Sequence, residues 1–240
     1  MALYSDSPHP PSAAIEVLHS DEIKSFARAG TWGSAAQRSA VVATARKHWV
    51  EAGLQRSSGD EELADGVKLP EPVLRLIREV AFGGIGVDRQ FCQQIQSEGV
   101  TEGAYVEIVS LVSRLSNLDV FARGLGIAPR PLAAPVEDKA PSLKRPAEAT
   151  GEGFFTASVP NAPAGGAVAE SLYRNYRAIN LFRAVSLVPD EARHVIALIE
   201  QQYFPGSKLM DLSYDNGHAL SRAQVEVVAT KVSEHNQCFY

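Results

Sequence analysis

Apolar residues along this chain recur at intervals of three and four, and almost nowhere at two. In residues 34–54, SAAQRSAVVATARKHWVEAGL, Val41, Ala45 and Trp49 share a face behind Ser34 and Gln37 in capping-box spacing. Leu69-Pro70 opens a second helical pattern, with Val73, Leu76, Ile77 and Val80 apolar. Residues 101–118 give a third, which points Ile108, Leu111, Val112 and Leu115 inward. Cys92, in RQFCQQIQ, lies in a further helical stretch, and the pattern resumes at 167–185, 190–203 and 221–237. No extended run alternates apolar with polar, and no hairpin turn joins two such runs. The prediction is an all-α fold.

Between the helical halves the composition changes. Residues 127–166 hold seven of the fourteen prolines, together with Gly, Ala and scattered charge, and read as an extended linker or wrapping arm. The chain therefore divides into an N-terminal helical part (1–126), the arm (127–166) and a C-terminal helical part (167–240).

The two helical parts match one another at a constant offset of 119 residues. Glu107 follows Pro70 by 37 residues, and Glu226 follows Pro189 by the same interval. In that register Ile77 pairs with Ile196, Ala104 with Ala223, Val106 with Val225, Val109 with Val228 and Asn117 with Asn236. Apolar coincidences are expected between two amphipathic helices. A proline, a carboxylate and an asparagine matched without a gap point to an internal duplication. Ser34–Gln37 also shares its Ser-x-Ala-Gln wording with residues 221–224, a weaker trace of a third copy. Glu226 stands among Val225, Val227 and Val228 on a helix whose expected inner face is Val225, Val228, Ala229 and Val232. An unpaired buried carboxylate is costly, so the residue either faces water or has a partner. Its recurrence at Glu107 favours an inward, functional place.

Composition narrows the function classes. A 45% hydrophobic and 21% charged chain of 240 residues has the material for an ordinary globular core. Net charge is −5, and the one basic pair, Lys144-Arg145, falls in the arm, so no nucleic-acid partner is expected. The two cysteines, Cys92 and Cys238, form no disulfide framework, and no Cys/His set has metal-ligand spacing, so neither metal nor cofactor is expected. The N-terminus lacks the basic and apolar regions of a signal peptide, and no apolar run reaches membrane length. A cytoplasmic protein is the expectation. GGIG at 83–86 has neither a preceding strand nor a following Lys-Ser/Thr, which argues against a phosphate loop. Cys92 reads as a small buried hydrophobe, and His48 and His194 as ordinary residues of amphipathic helices.

The closing stretch, ALSRAQVEVVATKVSEHNQCFY, carries Glu226-x11-Cys238 and resembles the AhpD-like alkylhydroperoxidases of the carboxymuconolactone decarboxylase superfamily, whose motif is Glu-x11-Cys-x2-Cys-x3-His. Residues 171–240 look like a catalytic repeat. Residues 65–126, with GAYVEIVSLVSRLSNLDVFARGLG, look like a degenerate one in which Asp119 stands where Cys238 does. The resemblance implies a thiol-dependent peroxidase acting on a peroxide with a thiol reductant, while an apolar face on helices such as 34–54 and an arm long enough to reach a neighbour predict a homo-oligomer. Glu226 matches the motif glutamate and Cys238 the first, resolving cysteine. The attacking cysteine and the motif histidine would fall after Tyr240, so the expectation is a chain cut inside its motif or a member without catalysis. His235, three residues before Cys238, is a further candidate, either bonded to the thiol or complementing the helix dipole. Two alternatives stay open: a non-catalytic helical oligomerisation module, and a lyase of the decarboxylase kind, against which Cys238 argues.

Overall fold

Most of the expected helices begin where their capping residues stand. In the computed structural model, which describes residues 3–151, 155–174, 177–215, 217 and 219–238, the Ser34 hydroxyl accepts from the Gln37 amide and the Gln37 side chain answers to the Ser34 amide. That box opens α2 (Ala35–Glu51). Pro70, with its fixed φ and no N–H to lose, precedes α3 (Glu71–Ala81), and Thr101 caps α5 (Glu102–Gly124). Asp88 caps α4 (Arg89–Ser97). Pro189 starts α8 (Pro189–Gln202), and a second capping box, Ser221 with Gln224, starts α9 (Arg222–His235). The single helix expected over 167–185 is two pieces, α6 (Gly166–Tyr173) and α7 (Asn180–Ala184). The helix α1 (Ala13–Phe26) has no counterpart in the apolar pattern, because its buried side carries His19 and Glu22 beside Ile23 and Phe26. Among the described residues there is no strand, only isolated bridges at Arg28–Val136 and Thr150–Ser158. The fold is all-α.

The core lies where α2, α3 and α5 meet. Leu76 and Ile77 of α3 and Leu115 of α5 are sealed from solvent, Leu111 is nearly so, and each such side chain contributes roughly 1.5–3 kcal/mol. α2 is buried on all sides along its middle, where Ala40, Val41, Val42, Ala43 and Ala45 are small enough for close approach. A second apolar cluster gathers Leu172, Tyr173, Phe182, Ala192 and Ile196. α8 joins the two, giving Leu198 to the first and Ala192 and Ile196 to the second.

The proline-rich segment lies along its own chain. The amides of Val136 and Leu143 donate to the carbonyls of Ala27 and Thr31, that of Leu132 donates to Asp60, and Arg145 pairs with Glu102. The matched halves pack differently: α3 lies along α5, whereas α8 packs on α5 and α1. α9 has no buried residue. The expected inner face is therefore corrected: Val228 and Val232 are more than half exposed, as is Val227.

Candidate functional site

The two matched glutamates have opposite surroundings. Glu107, in the second turn of α5, is buried, and its carboxylate accepts from the backbone amides of Thr31 (3.0 Å), Trp32 (2.9 Å) and Gly33 (3.0 Å). Arg38 closes the cradle, with Nη1 2.7 Å from Oε1. Gly30 permits this approach, since a Cβ there would sit 2.5 Å from the Glu107 oxygen. Arg38 also reaches Glu191 at 2.9 Å, Arg114 bridges Glu191 (2.8 Å) and Glu22, and His194 Nδ1 meets Glu22 at 2.5 Å. The result is a buried chain of alternating charge, Glu107–Arg38–Glu191–Arg114–Glu22, linking α5, α2, α8 and α1, with the partly exposed His194 ring against its Glu22 end. Two guanidiniums beside Glu191 hold its carboxyl down at about 2 despite complete burial, which by itself would raise it. His194, expected to be an ordinary amphipathic-helix residue, is corrected to a member of this network.

Glu226 is half-buried on α9. Its oxygens accept from the Tyr203 hydroxyl (2.6 Å) and Arg222 Nε (2.7 Å). Arg222 in turn donates to the carbonyls of Lys208 and Leu209 and lies 3.9 Å over the Phe204 ring. Burial, then the adjacent carboxylate, pushes the Tyr203 hydroxyl up to about 12, so it is a firm donor. Glu226 thus fastens the first turns of α9 to the loop before it.

The expected residues are only partly brought together. His235 stands nine positions along the helix from Glu226, about 14 Å of axial rise, so no proton passes directly between them. Cys238 lies past the helix end, exposed, its amide donating to the Ser233 carbonyl (2.9 Å) after Gln237 takes a positive φ of 51°. Cys238 and His235 do share a setting: both line a cavity of about 950 Å³ whose opposite wall comes from the N-terminal half, with Trp49, Phe82, Ser116, Asp119 and Arg123. Asp119, the position matched to Cys238 by the 119-residue register, stands on that wall. Arg46 holds both of its carboxylate oxygens, at 3.0 and 2.6 Å, and reaches Asp60 at 2.8 Å.

Cys92 is fully buried, donates from Sγ to the Phe155 carbonyl and accepts from Gln96, and burial pushes its thiol up, as suits an inert side chain. The glycines of GGIG serve the end of α3, Gly83 and Gly84 taking positive φ. Among the described residues no group of three or more His, Cys, Asp or Glu could hold a metal ion, and no helix is long and apolar enough to cross a membrane. Sequence reasoning missed Arg38, Arg114, Glu22 and Glu191. The available signal was arginine at core-facing positions of two otherwise apolar helices, α2 and α5. Compared with known proteins, the chain matches no family model, no curated sequence and no solved structure.

Proposed function

We propose that this chain carries the resolving half of a thiol-dependent peroxidase site of the AhpD-like kind, working in the cytoplasm with a peroxide and a dithiol reductant. One observation carries the reading: α9, capped at Ser221, holds Glu226 in the motif register and delivers Cys238 with His235 to the wall of an open cavity. In the motif that this stretch resembles, an attacking cysteine stands three residues after the one matched to Cys238, a position that the 240-residue sequence does not include. In a complete site of that kind the attacking thiolate forms an S–O bond with the peroxide as the O–O bond breaks, and the departing alkoxide takes a proton. The sulfenic acid then condenses with the Cys238 thiol, forming a disulfide and releasing water. Exchange with the reductant returns both thiols and supplies the two electrons. His235, three residues before Cys238, is the proton carrier in this reading. Glu226 acts as a positioning residue, holding α9 through Tyr203 and Arg222.

The test compares peroxide consumption, with a dithiol supplied, by the 240-residue chain and by one extended with Cys-x3-His and a following helix. The shorter form should be inactive and the longer active. With no dithiol present, the longer form should stop after one turnover at the disulfide, and its Cys238→Ser variant at the sulfenic acid. Substantial turnover by the shorter form would move the chemistry to other residues.

The exposed Val227, Val228 and Val232 favour a second reading, a helical assembly module without catalysis. Under it, sedimentation at micromolar concentration should show a dimer or larger species that Val228→Lys dissociates. A monomer would exclude it.

A further inference from the structure

A second cavity, of about 700 Å³, runs beside the one at Cys238 and is lined by Val80, Val87, Val109, Val112, Phe155 and Val185, among others. The two share Val80, Gly83, Gly84 and Ser116. Two of those four residues have no side chain and one is a serine, so the sill between the cavities is low. A Cβ built on Gly83 meets nothing within 4 Å. Large apolar side chains border the joined groove in the open: Phe82 is 42% exposed, Phe155 44%, Leu54 50% and Ile85 78%. Apolar surface concentrated along one cleft marks a binding site more than scattered exposure does.

The chemistry is graded along the groove. The end between α3, α5 and the 184–185 turn is apolar except for Ser113, Ser116, Thr156 and the Tyr105 ring. The end near Cys238 carries Arg123, whose Nη1 donates to the Leu54 carbonyl (2.9 Å), with Gln55 and His235. Among the described residues the one acid on that wall, Asp119, is buried and committed to Arg46. A slender apolar body with an anionic head complements both ends.

We infer that the joined groove binds an unbranched fatty acid, its chain along Val109, Val112 and Val185 and its carboxylate beside Arg123. The inference concerns binding alone and stands whether or not Cys238 takes part in peroxide turnover.

Calorimetric titration of the 240-residue chain with dodecanoate, dodecanol and dodecyltrimethylammonium tests it. Dodecanoate should bind saturably at one site, with the negative heat-capacity change of apolar burial. Ser113 is exposed and lines the groove, so Ser113→Trp should fill the groove without unfolding the chain and weaken both dodecanoate and dodecanol by about tenfold or more, which is 1.4 kcal/mol or more. Arg123→Glu should weaken dodecanoate by about the same factor and leave dodecanol unchanged; circular dichroism checks the fold of both variants. No saturable binding, binding indifferent to both substitutions, or preference for the cationic amphiphile would each overturn the inference. So would a sedimenting dimer that binds no dodecanoate and falls apart on Ser113→Trp, since a second copy would then be the occupant. Because none of these probes is a peroxide, loss of the peroxidase reading and loss of this one give different results.

Discussion

Glu107 and Glu226 stand 119 residues apart, at matched places in the sequence register, and differ in what surrounds them. Three backbone amides and a buried guanidinium hold Glu107. Removing its charge leaves Arg38 buried with Glu191 as its remaining carboxylate, and breaking a buried pair from one side costs about 3–5 kcal/mol. Glu226 has a side chain 38% exposed and a partner within its own helix, a setting in which ion pairs contribute less than about 1 kcal/mol. Urea unfolding should therefore show Glu107→Gln destabilised by about 3 kcal/mol and Glu226→Gln by less than about 1 kcal/mol. Equal effects would mean that the matched positions are equivalent after all.

At the scale of elements the contrast lies between α5 and α9. α5 buries residues on several sides, including Val106, Ile108, Leu111, Leu115 and Leu118. α9 buries none, so its hydrogen bonds rest on local propensity, the Ser221–Gln224 box and the Glu226–Arg222–Tyr203 anchor. An isolated helix of this length is marginal in water. Amide exchange should be orders of magnitude faster along Val225–His235 than along Val106–Leu118, because local opening of α9 exposes no core. Ser221→Ala should speed α9 exchange further and leave the global unfolding midpoint where it is. Comparable protection of the two helices would show α9 covered by something else.

For the whole molecule, buried ionisable groups set the response to acid. Burial lowers His19 to about 4, and its Nδ1 lies 2.6 Å from the Tyr4 hydroxyl. The unfolded chain binds that proton near pH 6.5 and the folded one does not, so stability falls as pH drops from about 6.5 to about 4. Glu191 is depressed from 4.5 to about 2 by Arg114 and Arg38, so its contribution is full above about pH 4.5 and is lost as pH falls towards 2. Glu22, held down by Arg114 and His194, adds to the lower window. The urea midpoint should decline in two stages. His19→Gln should shrink the upper stage, to which the lowered His48 also contributes, and leave the lower stage in place. A profile flat between pH 6.5 and 4.5 in the unaltered chain would contradict the neutral His19.

Local signals were enough to read much of this from the sequence. Ser34, Thr101 and Ser221 mark helix starts because a cap bonds within its own turn, and Pro70 and Pro189 mark theirs because proline fixes its own φ. The all-α class and the apolar faces of α2, α3 and α5 follow from spacing alone. The sequence also aligned Glu107 with Glu226 and placed Cys238 just beyond a helix. It could not say which glutamate is enclosed, because burial depends on what the rest of the chain brings: the Thr31–Gly33 amides, Arg38, and Glu191 from 84 positions further on. It did not show α1, whose buried side bears His19 and Glu22 and so breaks the apolar stripe. Nor could it turn α8 towards α5 and α1, leave α9 uncovered, or set Cys238 opposite Asp119. Those arrangements join residues far apart in the chain, and long-range packing and paired charge decide them where local periodicity is silent.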